Sequence, residues 1–215
     1  MELNKYIEHT LLKQDATKAE LIKLLDEAKQ YKFLGVCVNP VNVAFTKQYL
    51  KDTEIKVVTV VGFPLGQSTC ESKVLETIDA IKNGADEIDM VLNAGKLKDN
   101  ELDYIINEIS AIKGACQGRN LKVILETDLL SKEEIKLACE LCIKGKADFV
   151  KTSTGFVKNG VGAKPEDVKL MYEPVKDFGL GVKASGGVRD KDAALAVLEE
   201  GASRIGTSSG VKICS

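Results

Sequence analysis

Gly145-Lys146-Ala147-Asp148-Phe149-Val150-Lys151-Thr152-Ser153-Thr154-Gly155 packs a helix end, a strand and a turn into one short stretch. The glycine suits a helix terminus, and the apolar run that follows has the length and composition of a strand buried on both faces. The run ends in a lysine and a polar, glycine-closed turn. The same helix-to-strand junction recurs at Gly84-Ala85-Asp86 and at Gly201-Ala202-Ser203, each followed by a short apolar run. Working outward on this pattern, strands are expected at Tyr6 to Leu12, Gly35 to Val38, Ile55 to Phe63, Glu87 to Leu92, Leu121 to Glu126, Phe149 to Ser153, Gly181 to Ala184 and Arg204 to Thr207. Amphipathic stretches separate them. Thr17-Lys18-Ala19-Glu20 and Ser131-Lys132-Glu133-Glu134 fit capping boxes, and Pro165 suits a first helical turn. About eight strand-helix units in a chain of 215 residues point to an α/β fold, a compact (β/α)8 TIM barrel, formed as one domain over residues 1–215. A doubly wound open sheet is the rival, but no Gly-x-Gly-x-x-Gly follows the first strand.

Composition narrows the function classes. Charged residues are 29% and the net charge is -2, with Lys and Arg spread evenly, so no basic stripe suggests a nucleic-acid partner. No apolar run is long enough to span a bilayer, and the start Met1-Glu2-Leu3-Asn4-Lys5 lacks the apolar segment of a signal peptide. Six cysteines lie in strand and helix patterns rather than in a disulfide framework. Cys139 and Cys142 form a lone Cys-x-x-Cys within helical sequence, read as two small apolar residues on a buried face. A cytoplasmic protein with reduced thiols is expected. His9 is the only histidine, which excludes a multi-histidine metal site.

Lys151 and Lys183 sit at the ends of apolar runs, just before polar turns. In a barrel those strand ends form the active face. An ammonium among apolar neighbours is costly unless paired, and two on successive strands repel each other. That repulsion lowers the pKa of one, making it a nucleophilic amine suited to Schiff-base chemistry on a carbonyl. Asp89, inside Glu87-Ile88-Asp89-Met90-Val91, faces inward with Glu87 and Val91 by the period of two, and would compensate the two lysines. Glu126 could line the same mouth. Lys56 and Lys122 precede the apolar cores of their strands and are expected at the bottom rim, with their charged heads in solvent. The turns Ser185-Gly186-Gly187-Val188-Arg189 and Gly206-Thr207-Ser208-Ser209-Gly210 follow the last two strands, where barrel loops often take a phosphate. The expected substrate-binding set is therefore Gly155, Gly186, Gly187, Gly206, Ser208 and Ser209, with Thr152 beside Lys151 and Cys37 at the end of the second strand. Phe63 and Pro64 are candidates for a pocket wall. No cofactor and no metal are expected.

These blocks together resemble deoxyribose-phosphate aldolase of the class I, Schiff-base type. The similarity runs through Glu8-His9-Thr10-Leu11-Leu12, Gly35-Val36-Cys37-Val38-Asn39-Pro40, Val61-Gly62-Phe63-Pro64-Leu65-Gly66, Glu87-Ile88-Asp89-Met90-Val91, Lys122-Val123-Ile124-Leu125-Glu126-Thr127, Lys151-Thr152-Ser153-Thr154-Gly155 and Lys183-Ala184-Ser185-Gly186-Gly187-Val188-Arg189. The resemblance implies reversible, metal-independent cleavage of 2-deoxy-D-ribose 5-phosphate to D-glyceraldehyde 3-phosphate and acetaldehyde. It implies Lys151 as the Schiff-base lysine, Lys183 as the second lysine, Asp89 in the proton relay, and a homo-oligomer, a dimer above all. Three positions depart from the family pattern: Glu8 in place of an Asp, Phe156 where some members carry a phosphate-facing Lys, and an end at Ser215 without the terminal Tyr of some members. Two other readings share these residues: a transaldolase-like Schiff-base lyase acting on ketose phosphates, and a non-catalytic sugar-phosphate-binding barrel.

Overall fold

Eight parallel strands close into a barrel in sequence order, with the last strand pairing back onto the first. The computed structural model describes residues 1–215. The strands are β1 (Ile7–Leu11), β2 (Gly35–Val38), β3 (Lys56–Val61), β4 (Glu87–Val91), β5 (Asn120–Ile124), β6 (Phe149–Lys151), β7 (Gly181–Ser185) and β8 (Arg204–Thr207). The helices are α1 (Lys18–Tyr31), α2 (Val43–Tyr49), α3 (Cys70–Lys82), α4 (Ala94–Lys98), α5 (Leu102–Ala115), α6 (Lys132–Lys144), α7 (Pro165–Val175), α8 (Lys191–Glu199) and α9 (Gly210–Cys214). No helix is long and apolar enough to cross a membrane.

The capping signals operate as read. Thr17 and Ser131 each accept an amide from the third residue of their helix, Glu20 and Glu134, whose carboxylates return the bond to the cap amide. Pro165 opens α7. One glycine has a different reason from the one expected. Gly145 keeps a right-handed backbone, and the left-handed residue at this junction is Lys146 (φ 62°). A Cβ on Gly145 would lie 2.6 Å from Ile109 Cγ2, so glycine is required there for the close approach of α5 to α6.

The apolar core lies between the barrel wall and the helices. A single cluster of 45 buried residues occupies that layer, including Ile88, Met90, Val150, Val182 and Ile205 on the outer face of the strands. Each such side chain contributes roughly 1.5–3 kcal/mol by leaving water. Cys139 and Cys142 belong to this layer and are fully buried. Inside the barrel a smaller apolar cluster forms from Leu12, Cys37, Val58 and Val60, with Phe63 packed on them. Charged side chains fill much of the remaining interior.

Candidate active site

The pairing register places the ionisable residues on one interior face. Asp89 of β4 lies opposite Lys122 of β5, and Lys151 of β6 lies opposite Lys183 of β7. Their side chains converge on Asp89. Its Oδ2 accepts hydrogen bonds from Lys151 Nζ at 2.8 Å and Lys183 Nζ at 2.6 Å, and its Oδ1 accepts from Lys122 Nζ at 3.0 Å. Lys183 also donates to Glu8 of β1, and Lys122 lies 2.5 Å from Glu87 and 3.5 Å from Glu8. Three ammonium groups thus face three carboxylates, all nearly excluded from water. Such a cluster is tolerable in a desolvated interior because every charge has an opposite partner in hydrogen-bonding contact. Gly206 makes room for it, since a Cβ there would sit 3.0 Å from Lys183 Cε.

The electrostatics separate the lysines. Burial works against the charged form of Lys183, but Asp89 and Glu8 outweigh it and hold the ammonium above its ordinary value. Lys122 is likewise raised: burial opposes the charge, and Asp89, Glu8 and Glu87 overcome it. Burial would raise the Asp89 carboxyl, yet Lys122, Lys151 and Lys183 keep it well below the usual carboxylate range. Glu8 is lowered in the same way by Lys122 and Lys183 against its burial. Two firmly held cations therefore share the Asp89 carboxylate with Lys151.

Of the three lysines, only Lys151 lines the cavity at the C-terminal mouth of the barrel, a space of about 370 Å³. Asp89 and Lys183 lie beneath it. Gly155, Gly186, Gly187, Gly206 and Ser208 are in the cavity wall. Gly186 and Gly187 both have positive φ, 79° and 76°, which shapes the turn so that glycine is strongly preferred at each. Lys13 and Arg189 add positive charge at the rim, and Phe156 packs edge-on against Phe63 across the mouth, with ring centroids 5.1 Å apart. Three predicted residues lie outside the wall. Thr152 is fully buried and ties β6 to β7, donating to the Ser185 carbonyl at 2.8 Å and accepting the Ser185 amide at 2.9 Å. Ser209 lines a neighbouring cavity beside α1. Cys37 is buried inside the barrel, and burial pushes its thiol up to about 11. Glu126 holds the Thr154 amide at 3.0 Å and the Thr154 hydroxyl. No group of three or more His, Cys, Asp and Glu side chains is arranged to hold a metal ion.

The sequence pattern of the family described as DeoC/LacD family aldolase matches residues 4–215. The deoxyribose-phosphate aldolase of Finegoldia magna is 55% identical over 213 residues, covering 99% of both chains. That of Enterococcus faecalis is 53% identical, covering 100% of this chain and 97% of its own. The solved structure of the deoxyribose phosphate aldolase from Aeropyrum pernix, described as a unique tetramer, superposes with a TM-score of 0.91 at 34% identity, covering 99% of this chain and 89% of that one. This chain belongs to the DeoC/LacD aldolase family.

Within this DeoC/LacD aldolase, one expectation is overturned. Lys122 is not a rim lysine with its head in solvent; it is fully buried and bonded to Asp89. It is the third of the five residues of β5, level with Asp89 of β4, and points into the barrel, where Glu87, Asp89 and Glu8 surround its ammonium. The available signal was charge count: two inward acidic residues on β4 and a third on β1 need more cations than Lys151 and Lys183 supply. Lys56 does lie at the lower rim, partly in solvent and 3.9 Å from Glu87. Arg204, its Nε 3.7 Å from Glu8 Oε1, is a further interior cation not anticipated from sequence.

Proposed function

We propose that this chain is a class I deoxyribose-phosphate aldolase, a lyase that reversibly cleaves 2-deoxy-D-ribose 5-phosphate to D-glyceraldehyde 3-phosphate and acetaldehyde. The observation that carries the reading is Lys151, in the cavity wall with its Nζ hydrogen-bonded to Asp89 and with Lys183 on the same carboxylate oxygen. The neutral Lys151 amine attacks the aldehyde carbon of the open-chain sugar, and loss of water gives a protonated imine, the electron sink. The Asp89 carboxylate, acting through a solvent molecule and with the Lys183 ammonium beside it, takes the proton from the C3 hydroxyl. The C2–C3 bond breaks, its electron pair passing into an enamine on Lys151, and D-glyceraldehyde 3-phosphate departs. Protonation of the enamine carbon and hydrolysis of the imine release acetaldehyde and restore Lys151. The imine supplies the electron sink, so the step needs no metal or further cofactor. The amides of Gly186 and Gly187, with Gly155, Gly206, Ser208 and the positive rim, receive the substrate phosphate.

The whole chain, residues 1–215, acts as one aldolase domain in this reading. All six cysteines are free, which suits the reducing cytoplasm. A homo-oligomer, a dimer first of all, is proposed from the exposed Leu75 and Ile78 on α3 and from the oligomeric Aeropyrum pernix relative; sedimentation of a monomer at working concentration would remove it. The activity itself is tested by comparing kcat/KM for 2-deoxy-D-ribose 5-phosphate with that for ketose phosphates. Preference for the deoxy sugar is expected. Faster cleavage of a ketose phosphate would favour a transaldolase-like lyase, and no turnover of either would leave a binding barrel.

A further inference from the structure

The connection between β6 and α7, residues 152–164, crosses the barrel mouth and ends against the glycine turn after β7. Two carboxylates of the β5–α6 turn hold it. Glu126 takes its start, through Thr154. Asp128 takes its end: Oδ2 accepts the Gly162 amide at 2.8 Å, and the Asp128 side chain is only 10% exposed. Past that anchor, the Ala163 amide donates to the Gly186 carbonyl at 2.9 Å. The packing there leaves no slack. A Cβ on Gly162 would meet the Gly186 carbonyl carbon at 2.5 Å, and one on Gly187 would meet the Val161 carbonyl oxygen at 2.4 Å. Gly186 and Gly187 are thus pressed from above by a strap whose far end is fixed by one carboxylate, and that carboxylate is absent from the wall of the main cavity.

We infer that Asp128 is a positioning residue for phosphate recognition: by pinning Gly162 it holds the strap against Gly186 and Gly187 and fixes the left-handed turn whose amides receive the anion. This rests on the reading of that turn as the phosphate site. A turn free to relax would present its amides in several orientations, and the cost falls on binding of the phosphate rather than on chemistry at Lys151.

The experiment measures kcat and KM for 2-deoxy-D-ribose 5-phosphate and for unphosphorylated 2-deoxy-D-ribose in the parent, Asp128→Ala, Asp128→Asn and Gly162→Ala. Asp128→Ala is expected to raise KM for the phosphorylated sugar about tenfold, the equivalent of one lost buried hydrogen bond. Its kcat, and both constants for the unphosphorylated sugar, are expected to stay at parent values. Asp128→Asn, which keeps an acceptor for Gly162, restores KM. Gly162→Ala, which forces the strap off Gly186, shows the same split as Asp128→Ala, and turnover of the unphosphorylated sugar reports that each variant is folded. An unchanged KM in Asp128→Ala, an equal loss on both sugars, or an Asn variant as impaired as the Ala variant would overturn the inference while leaving the phosphate site in place. A parent enzyme with no preference for the phosphorylated sugar would instead remove the phosphate reading, and the role of Asp128 with it.

Discussion

Lys151, Lys183 and Lys122 share one carboxylate and differ in what else surrounds them. Lys122 and Lys183 each have a second carboxylate partner within the barrel, while Lys151 has Asp89 alone and an open cavity. That asymmetry, rather than the identity of the side chain, is what supports the proposal of Lys151 as the nucleophile. Lys151→Ala is expected to lower turnover to below about a thousandth of the parent. Its thermal unfolding should stay close to the parent's, because Asp89 keeps two cations; residual aldol activity near the parent level would move the nucleophile elsewhere. Asp89→Leu is expected to be the more damaging for stability, by about 3–5 kcal/mol in chemical denaturation, since it strands buried ammonium groups without their shared acceptor. The same contrast governs the thiols. Burial pushes Cys116 up to about 11 and Cys139 to about 12, alongside Cys37, so native alkylation followed by peptide mass mapping should label the partly exposed Cys70 and Cys214 first. Lys151, Lys183 and Asp89 were legible because each interrupts an apolar run. Lys122 was not, because it precedes the apolar core of its run and so reads as a rim residue, whereas β5 begins at Asn120 and places it in mid-strand opposite Asp89.

At the scale of elements, the order of the eight strands was legible, because short apolar runs recur between amphipathic stretches; the additional helices α4, between β4 and α5, and α9, after β8, were not. The strand ends were less so. β3 is shorter than the apolar run Ile55 to Phe63, and β6 stops at Lys151 because Thr152 to Thr154 turn away to bond Ser185 and Glu126. A contact invisible in the sequence joins α3 to α5: Lys73 Nζ lies 2.9 Å from Glu108 Oε2 and donates to the Val91 carbonyl at 2.9 Å, both side chains having no exposure. It holds the exit of β4, two residues beyond Asp89. Lys73→Met alone is expected to destabilise by roughly 3–5 kcal/mol by leaving the buried Glu108 carboxyl without its cation, and Lys73→Met with Glu108→Leu to recover most of that loss. A double mutant no more stable than the single one would mean that the Val91 contact, not the ion pair, carries the stability.

For the whole molecule, the ring closes through parallel pairing of β8 with β1, which brings Glu8 from the first strand against Lys183 from the seventh. Counting strand-helix units was enough to expect the barrel; the charged interior required the closed ring. That interior sets the response to acid. Asp89 and Glu8 have carboxyls held below their ordinary values, so their contribution to stability is complete above the unfolded values near pH 4 and is lost as pH falls through the folded ones. Glu108 and Glu126, raised chiefly by burial, act in the opposite sense: their contribution is complete below about pH 4 and declines as pH rises, offsetting part of the acid loss. The net expectation is a melting temperature that falls steeply below about pH 4 and, because the pairs are buried, depends little on salt. A flat profile between about pH 7 and pH 3 would show that the interior charges do not contribute as described.

The central claim is that Lys151 forms the carbon–nitrogen bond. Incubation with acetaldehyde and borohydride, followed by peptide mass spectrometry, tests it directly. The expected result is a single reduced ethyl adduct on Lys151, with Lys122 and Lys183 unmodified. An adduct on Lys183, or an unmodified Lys151 under conditions that support turnover, would contradict it.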